Sequence, residues 1–132
     1  LAYGIDNFPQ TGATKMQTET IDLSGFYGTE NYYTHPFTRS VYTDGVKYFA
    51  EKAGAYWFLD IVFTEYDKLV SKAGFLSITL KVSRNSAIID VSDGSGSYTK
   101  PRHIDFTDCP DGEYKFYFVA GEPSVLMLAA EY

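Results

Sequence analysis

Cysteine is nearly missing from this chain of 132 residues. Cys109 stands alone, which excludes an intrachain disulfide and any cluster of thiolate metal ligands. Asp108, Pro110 and Asp111 flank it, and neighbouring negative charge raises a thiol pKa and dulls the nucleophile. Histidine is scarce too. His35 and His103 fall in separate segments with no HExxH or CxxC spacing, so neither a metal nor another cofactor is expected. No apolar run approaches the roughly 18–20 residues that span a bilayer. No basic stretch leads into an apolar one at the start, so the expectation is a cytoplasmic protein without membrane contact. Positive charge is also short, with 11 Lys and Arg against 17 Asp and Glu, a net charge of −6. Direct nucleic-acid binding is therefore disfavoured, because neutralising phosphates takes clustered Lys and Arg.

Rings are what the chain has in quantity: 12 Tyr, 10 Phe and one Trp, 17% of its residues. A disordered segment carries far less apolar ring, and this length buries a core without staples. Residues 1–15, broken by Gly4, Pro9 and Gly12, read as a leader or added arm; residues 16–132 read as a single domain. The alternative is a native arm that packs Tyr3, Ile5 and Phe8 on the body.

Leu23 to Tyr42 mixes six aromatic residues with Gly25, Gly28 and Pro36 and fits no regular period. It is expected to form an irregular layer sealing an edge or end, with Thr29 capping a helical turn that holds Tyr32 and Tyr33. Thr43 and Asp44 make a good helix start, and Val46, Phe49, Ala50 and Ala53 follow as one stripe. Gly54 breaks or bends that helix. Ala55 to Lys72 continues it with apolar residues around nearly the whole circumference, which predicts a central, enclosed segment ending at Gly74. Alternation then marks strands at 76–82, 87–91, 102–107, 114–120 and 125–130, with 93–101 as a loop. The expected fold is α+β: an N-terminal aromatic segment and a bent helical unit packed on a four- to five-stranded antiparallel sheet.

Five blocks carry a resemblance. Gly28-Thr29-Glu30-Asn31-Tyr32-Tyr33 and Tyr42-Thr43-Asp44-Gly45-Val46-Lys47-Tyr48 open it. Ala55-Tyr56-Trp57-Phe58-Leu59-Asp60, Phe106-Thr107-Asp108-Cys109-Pro110 and Ala130-Glu131-Tyr132 continue it. From about Leu23 to Tyr132 the chain resembles a small domain family of unknown function met in bacteria and in phage or other mobile elements. The likeness implies a fold and a genomic habit, and no reaction.

No residue reads as catalytic. Asp60 is an acid within an apolar helix: desolvated, it would be a general acid or base, but a hydrogen bond from a Tyr hydroxyl or the Trp57 indole, or a position facing a partner, explains it better. His35, beside Pro36 among Tyr32, Tyr33 and Phe37, is a contact residue or, more readily, part of ring packing. Phe116, Tyr117 and Phe118 are consecutive, so one sheet face cannot hold all three, and Tyr117 falls outside as a mark of a partner or dimer surface. The binding candidates are thus Tyr32, Tyr33, His35, Tyr42, Asp60 and Tyr117. The Ser–Gly stretch at 93–97 leads to a strand and not to a helix N-terminus, so it is no phosphate loop. Asp108, Asp111 and Glu113 lack the calcium-loop pattern and read as a solvated turn.

The resulting expectation is a non-enzymatic interaction protein of phage or mobile-element origin, using exposed tyrosines and acidic loops on a protein partner or a second copy. Its most specific form is an acidic inhibitor of a host defence complex, seated in a basic nucleic-acid channel. The alternative is a small-ligand-binding protein or enzyme with a pocket near Asp60, His35 and Tyr42.

Overall fold

The structure, a computed structural model, describes residues 21, 23, 25, 31–36, 38–93 and 101–132. The 1–15 segment, Thr29 and most of the 93–101 loop lie outside the described residues. Among the described residues two short strands come first, β1 (Tyr32–Thr34) and β2 (Val41–Thr43). Helices α1 (Asp44–Ala53), α2 (Tyr56–Glu65) and α3 (Asp67–Ala73) follow. Strands β3 (Phe75–Ser83), β4 (Ser86–Ser92), β5 (Arg102–Ile104), β6 (Gly112–Val119) and β7 (Val125–Leu128) complete the sheet, and a 3-10 turn spans Ala129–Glu131.

The α1 boundaries follow the local chemistry. Thr43 is extended (φ −86°, ψ 173°), and its hydroxyl accepts from the Val46 N–H at 3.4 Å. Gly54 (φ 61°) and Gly74 (φ 83°) end α1 and α3 in the left-handed region, which side chains with a Cβ rarely enter. The expected second helix is interrupted at Tyr66, whose ring is buried while its backbone leaves helical geometry (φ −107°, ψ 1°). Nor is α2 enclosed. Phe58, Leu59, Val62 and Phe63 are buried, but Tyr56, Asp60 and Thr64 face solvent.

Among the described residues the sheet has seven strands in the order β1-β2-β7-β6-β3-β4-β5 and is mixed, where four or five antiparallel strands are expected from the sequence. The difference lies in the aromatic segment: Tyr32 and Tyr33 stand in β1, not in a helical turn. β2 then pairs parallel with β7, matching Val41 to Val125 and Tyr42 to Leu126. Three-residue strands are too short to show a period, so this pair leaves no trace in the pattern. Every other pairing is antiparallel. Arg84 and Asn85, both with positive φ, form the tight β3–β4 turn.

One sheet face carries the core. Leu76, Ile78 and Leu80 of β3 meet Phe116 and Phe118 of β6 and Leu126 of β7. The helices close this face with rings: Phe58 lies 4.8 Å from Phe116, Phe49 5.2 Å from Phe116, and Phe63 5.6 Å from Phe118. Each fully buried Phe is worth roughly 1.5–3 kcal/mol against exposure, which makes this seam the main stabilising element.

Candidate functional site

Five of the six candidate residues come together at one corner. β1 and β2 pair Tyr33 with Tyr42, rings 5.8 Å apart, and Tyr42 reaches Phe63 of α2 at 6.2 Å. His35, just past β1, lies 4.9 Å from Phe63 and places Nε2 2.8 Å from Asp60 Oδ1. The Tyr33 hydroxyl donates to Asp44 Oδ1 at 3.0 Å, and the Asn31 N–H donates to Oδ2 at 3.1 Å. Lys47 stands 4.8 Å over the Tyr33 ring. The hydrogen bond to Asp44 raises the Tyr33 pKa, and burial raises that of Tyr42. Tyr32, at the β1 edge, remains 58% exposed.

The His35–Asp60 pair is built the wrong way round for acid–base chemistry. In a working dyad a buried acid orients an imidazole that faces the substrate. Here the imidazole is 2% exposed and the carboxylate 58%. The group able to move a proton is enclosed, and the group that would orient it faces water. Asp60 therefore lacks the desolvation that an apolar helix suggests, and its contact is His35 in place of a Tyr hydroxyl or the Trp57 indole. Among the described residues, no group of three or more His, Cys, Asp and Glu could hold a metal ion.

Tyr117 lies apart from this corner. Phe116 and Phe118 point into the core, and Tyr117 sits on the opposite face with Phe75 at 4.9 Å and Tyr132 at 5.2 Å.

A feature that alternation concealed lies between β5 and β6. The pattern extends β5 to Thr107 with Phe106 on an inward face, but the strand stops at Ile104 and Phe106 is 67% exposed. Before it, Ile104 is paired with Ala87 in the sheet, and the chain after it is held by hydrogen bonds. The Thr107 N–H donates to the Asn85 carbonyl at 2.8 Å, and the Asn85 amide returns a bond to the Thr107 carbonyl at 3.2 Å. The Cys109 N–H donates to Thr107 Oγ1 at 3.1 Å, and the Tyr114 hydroxyl donates to the Pro110 carbonyl at 2.7 Å. Asp105, Asp108, Asp111 and Glu113 are exposed around it. Cys109 is buried, which pushes its thiol up to about 11; Asp111 adds a lesser push and the Tyr114 hydroxyl opposes it. The adjacent acids in sequence predict that direction, but burial is the main cause.

A family model described as a family of unknown function (DUF6876) matches residues 17–132. The chain belongs to that family. No curated protein matches it, and no solved structure does. The DUF6876 match takes in the His35–Asp60 corner, the Phe106 loop and Tyr117 alike. No helix among its described residues is long and apolar enough to cross a membrane.

Proposed function

We propose that this chain is a non-catalytic interaction protein whose partner presents an apolar pocket rimmed by Lys and Arg. The observation that carries the reading is Phe106: a large ring standing in solvent between a paired strand that ends at Ile104 and a segment hydrogen-bonded at Thr107, Cys109 and Pro110, with Asp105 and Asp108 exposed beside it in sequence. An anchor held in place before binding loses little entropy on docking, and aromatic anchors dominate interface energies. Asp105, Asp108 and Asp111, with a net charge of −6 behind them, steer a basic surface toward that ring, while Glu113 is paired with Lys115. An inhibitor placed in the basic channel of a host defence complex, encoded by a phage or mobile element, is the narrow form of this reading. Charge and the family likeness are its support.

The test places a photo-crosslinking benzoyl-phenylalanine at position 106 in the producing cell and identifies the captured peptide. The expected peptide has Lys or Arg beside apolar residues. With that partner purified, F106A weakens binding by about 30-fold or more, the scale of a hot-spot residue. Added salt weakens the wild-type complex. Crosslinks spread over unrelated neutral proteins, or a partner that binds F106A as tightly as wild type, would overturn the reading. The alternative, a ligand pocket or enzyme centre at Asp60, His35 and Tyr42, has the 2.8 Å contact in its favour and the inverted burial of the pair against it.

A further inference from the structure

A second concave surface, independent of the Phe106 loop, opens where β2 and β7 begin. Its volume is about 790 Å³, and it lies between the turn entering β2, the turn entering β7, and α3. The Val41 N–H donates to the Ser124 carbonyl at 2.9 Å, which ties the two turns into one floor. The walls are polar. The Ser40 hydroxyl, 4% exposed, donates to Asp67 Oδ1 at 3.1 Å and fixes that carboxylate against α3. Arg39 lines one side and has no ion-pair partner among the described residues, and Glu122 lines another. Thr38 and Ser124 add hydroxyls, and no aromatic ring among the described residues lines the groove.

Charge and shape narrow the occupant. Among the described lining residues, a simple anion would meet two carboxylates beside a single guanidinium, and a simple cation would meet that guanidinium. A zwitterion answers both signs: its carboxylate takes the planar Arg39 fork, and its ammonium takes Asp67 and Glu122. The size is that of a small-ligand cleft with room beyond the two charged groups for a side chain. We propose that this groove binds a free α-amino acid through Arg39, Asp67 and Glu122.

The experiment titrates the full chain with each α-amino acid at up to about 10 mM, a range that reports weak sites, and follows backbone amide shifts by NMR. Matched arms use the corresponding 2-oxo acids, which lack the ammonium, alkylamines, which lack the carboxylate, glucose and inorganic phosphate. At least one amino acid is expected to shift the amides of residues 38–41 and 121–124, with every control at least tenfold weaker. R39Q and D67N should each weaken that binding tenfold or more, and K68Q on the neighbouring surface should leave it unchanged. Arg39 and Lys68 are exposed, so these variants test the groove without testing the core. No response to any amino acid, or a 2-oxo acid, amine, phosphate or glucose binding as tightly, would overturn the assignment.

Discussion

The β1–α2 corner and the Phe106 loop use similar residue types to opposite ends. At the corner, Tyr33, Asp44, His35 and Asp60 are engaged with one another, and the imidazole is closed off from water. In the loop, the backbone and the small polar groups are engaged, while Phe106 and its flanking acids are left standing in solvent. Chemistry-bearing residues at the corner hold the fold together. In the proposed function, a plain phenylalanine in the loop is the group that meets a partner. The comparison teaches that residue type alone misdirects: burial and prior hydrogen bonding separate the frame from the contact.

The contrast breaks most sharply at the C-terminal end of the corner. Glu131 is buried and accepts from the Thr43 hydroxyl at 2.6 Å, the Leu128 N–H at 3.0 Å and the Gly45 N–H at 3.4 Å. It supplies negative charge at the α1 N-terminus, where the helix dipole favours it. E131A should cost about 3 kcal/mol in urea unfolding, because hydrogen bonds to a buried charge are lost together with the partners' satisfaction. E131Q, which keeps the shape and one acceptor, should cost less. G45A should also destabilise, since a Cβ there lies 2.5 Å from Leu128 Cδ1 and 2.7 Å from Glu131 Oε1. An unfolding midpoint for E131A close to wild type would mean that Glu131 does not hold the start of α1.

The corner's second test is the asymmetry within its histidine pair. H35A removes an enclosed ring packed against Phe63 and should cost about 2 kcal/mol, a large-to-small loss with a cavity left behind. D60N alters a carboxylate facing solvent and should cost about 0.5 kcal/mol or less. Equal losses would mean that the contact itself, and not the burial of the ring, holds the corner.

Much of this frame was legible beforehand. Thr43 as a cap, the Val46–Ala53 stripe, the breaks at Gly54 and Gly74, and the alternation that puts Phe116 and Phe118 opposite Tyr117 are all local signals, written in neighbouring residues. What escaped was non-local. β2 finds its parallel partner near the C-terminus, and nothing around Val41 announces Val125. Glu131 reads as an unremarkable terminal acid until the fold carries it to the start of α1. The enclosed reading of Asp60 and the strand reading through Phe106 fail for one reason: hydropathy ranks a residue by its kind, whereas a helix turn or strand end decides which way it points. α2 carries a ring of apolar residues, yet only one side of it meets the sheet, and Asp60 takes the other.

A smaller effect on the fold is expected in the loop. F106A should change stability by less than about 0.5 kcal/mol, as for an ordinary surface change, while removing most of the partner affinity. A large loss of stability would place Phe106 in the frame with the corner residues and dissolve the contrast.

The smallest effect, nil at neutral pH, appears in alkali. Cys109 has an ordinary thiol pKa of 9.0 when the chain unfolds and is pushed up to about 11 in the fold, and burial raises Tyr114 beside it as well. Between those two pH values the unfolded thiol has lost its proton and the folded one keeps it, so unfolding releases a proton and is favoured as pH rises. The stability tied to this thiol is thus fully present below pH 9 and is lost as pH climbs through 11. Urea midpoints should be level from pH 7 to about 9 and fall above it, with C109A removing the thiol's share of the fall and leaving that of the buried tyrosines. At pH 8 the native thiol should react with iodoacetamide about 100-fold more slowly than in urea, from its smaller thiolate fraction alone. A native thiol that alkylates as fast as the unfolded one would mean that the loop opens freely, and Phe106 would then stand on no fixed frame.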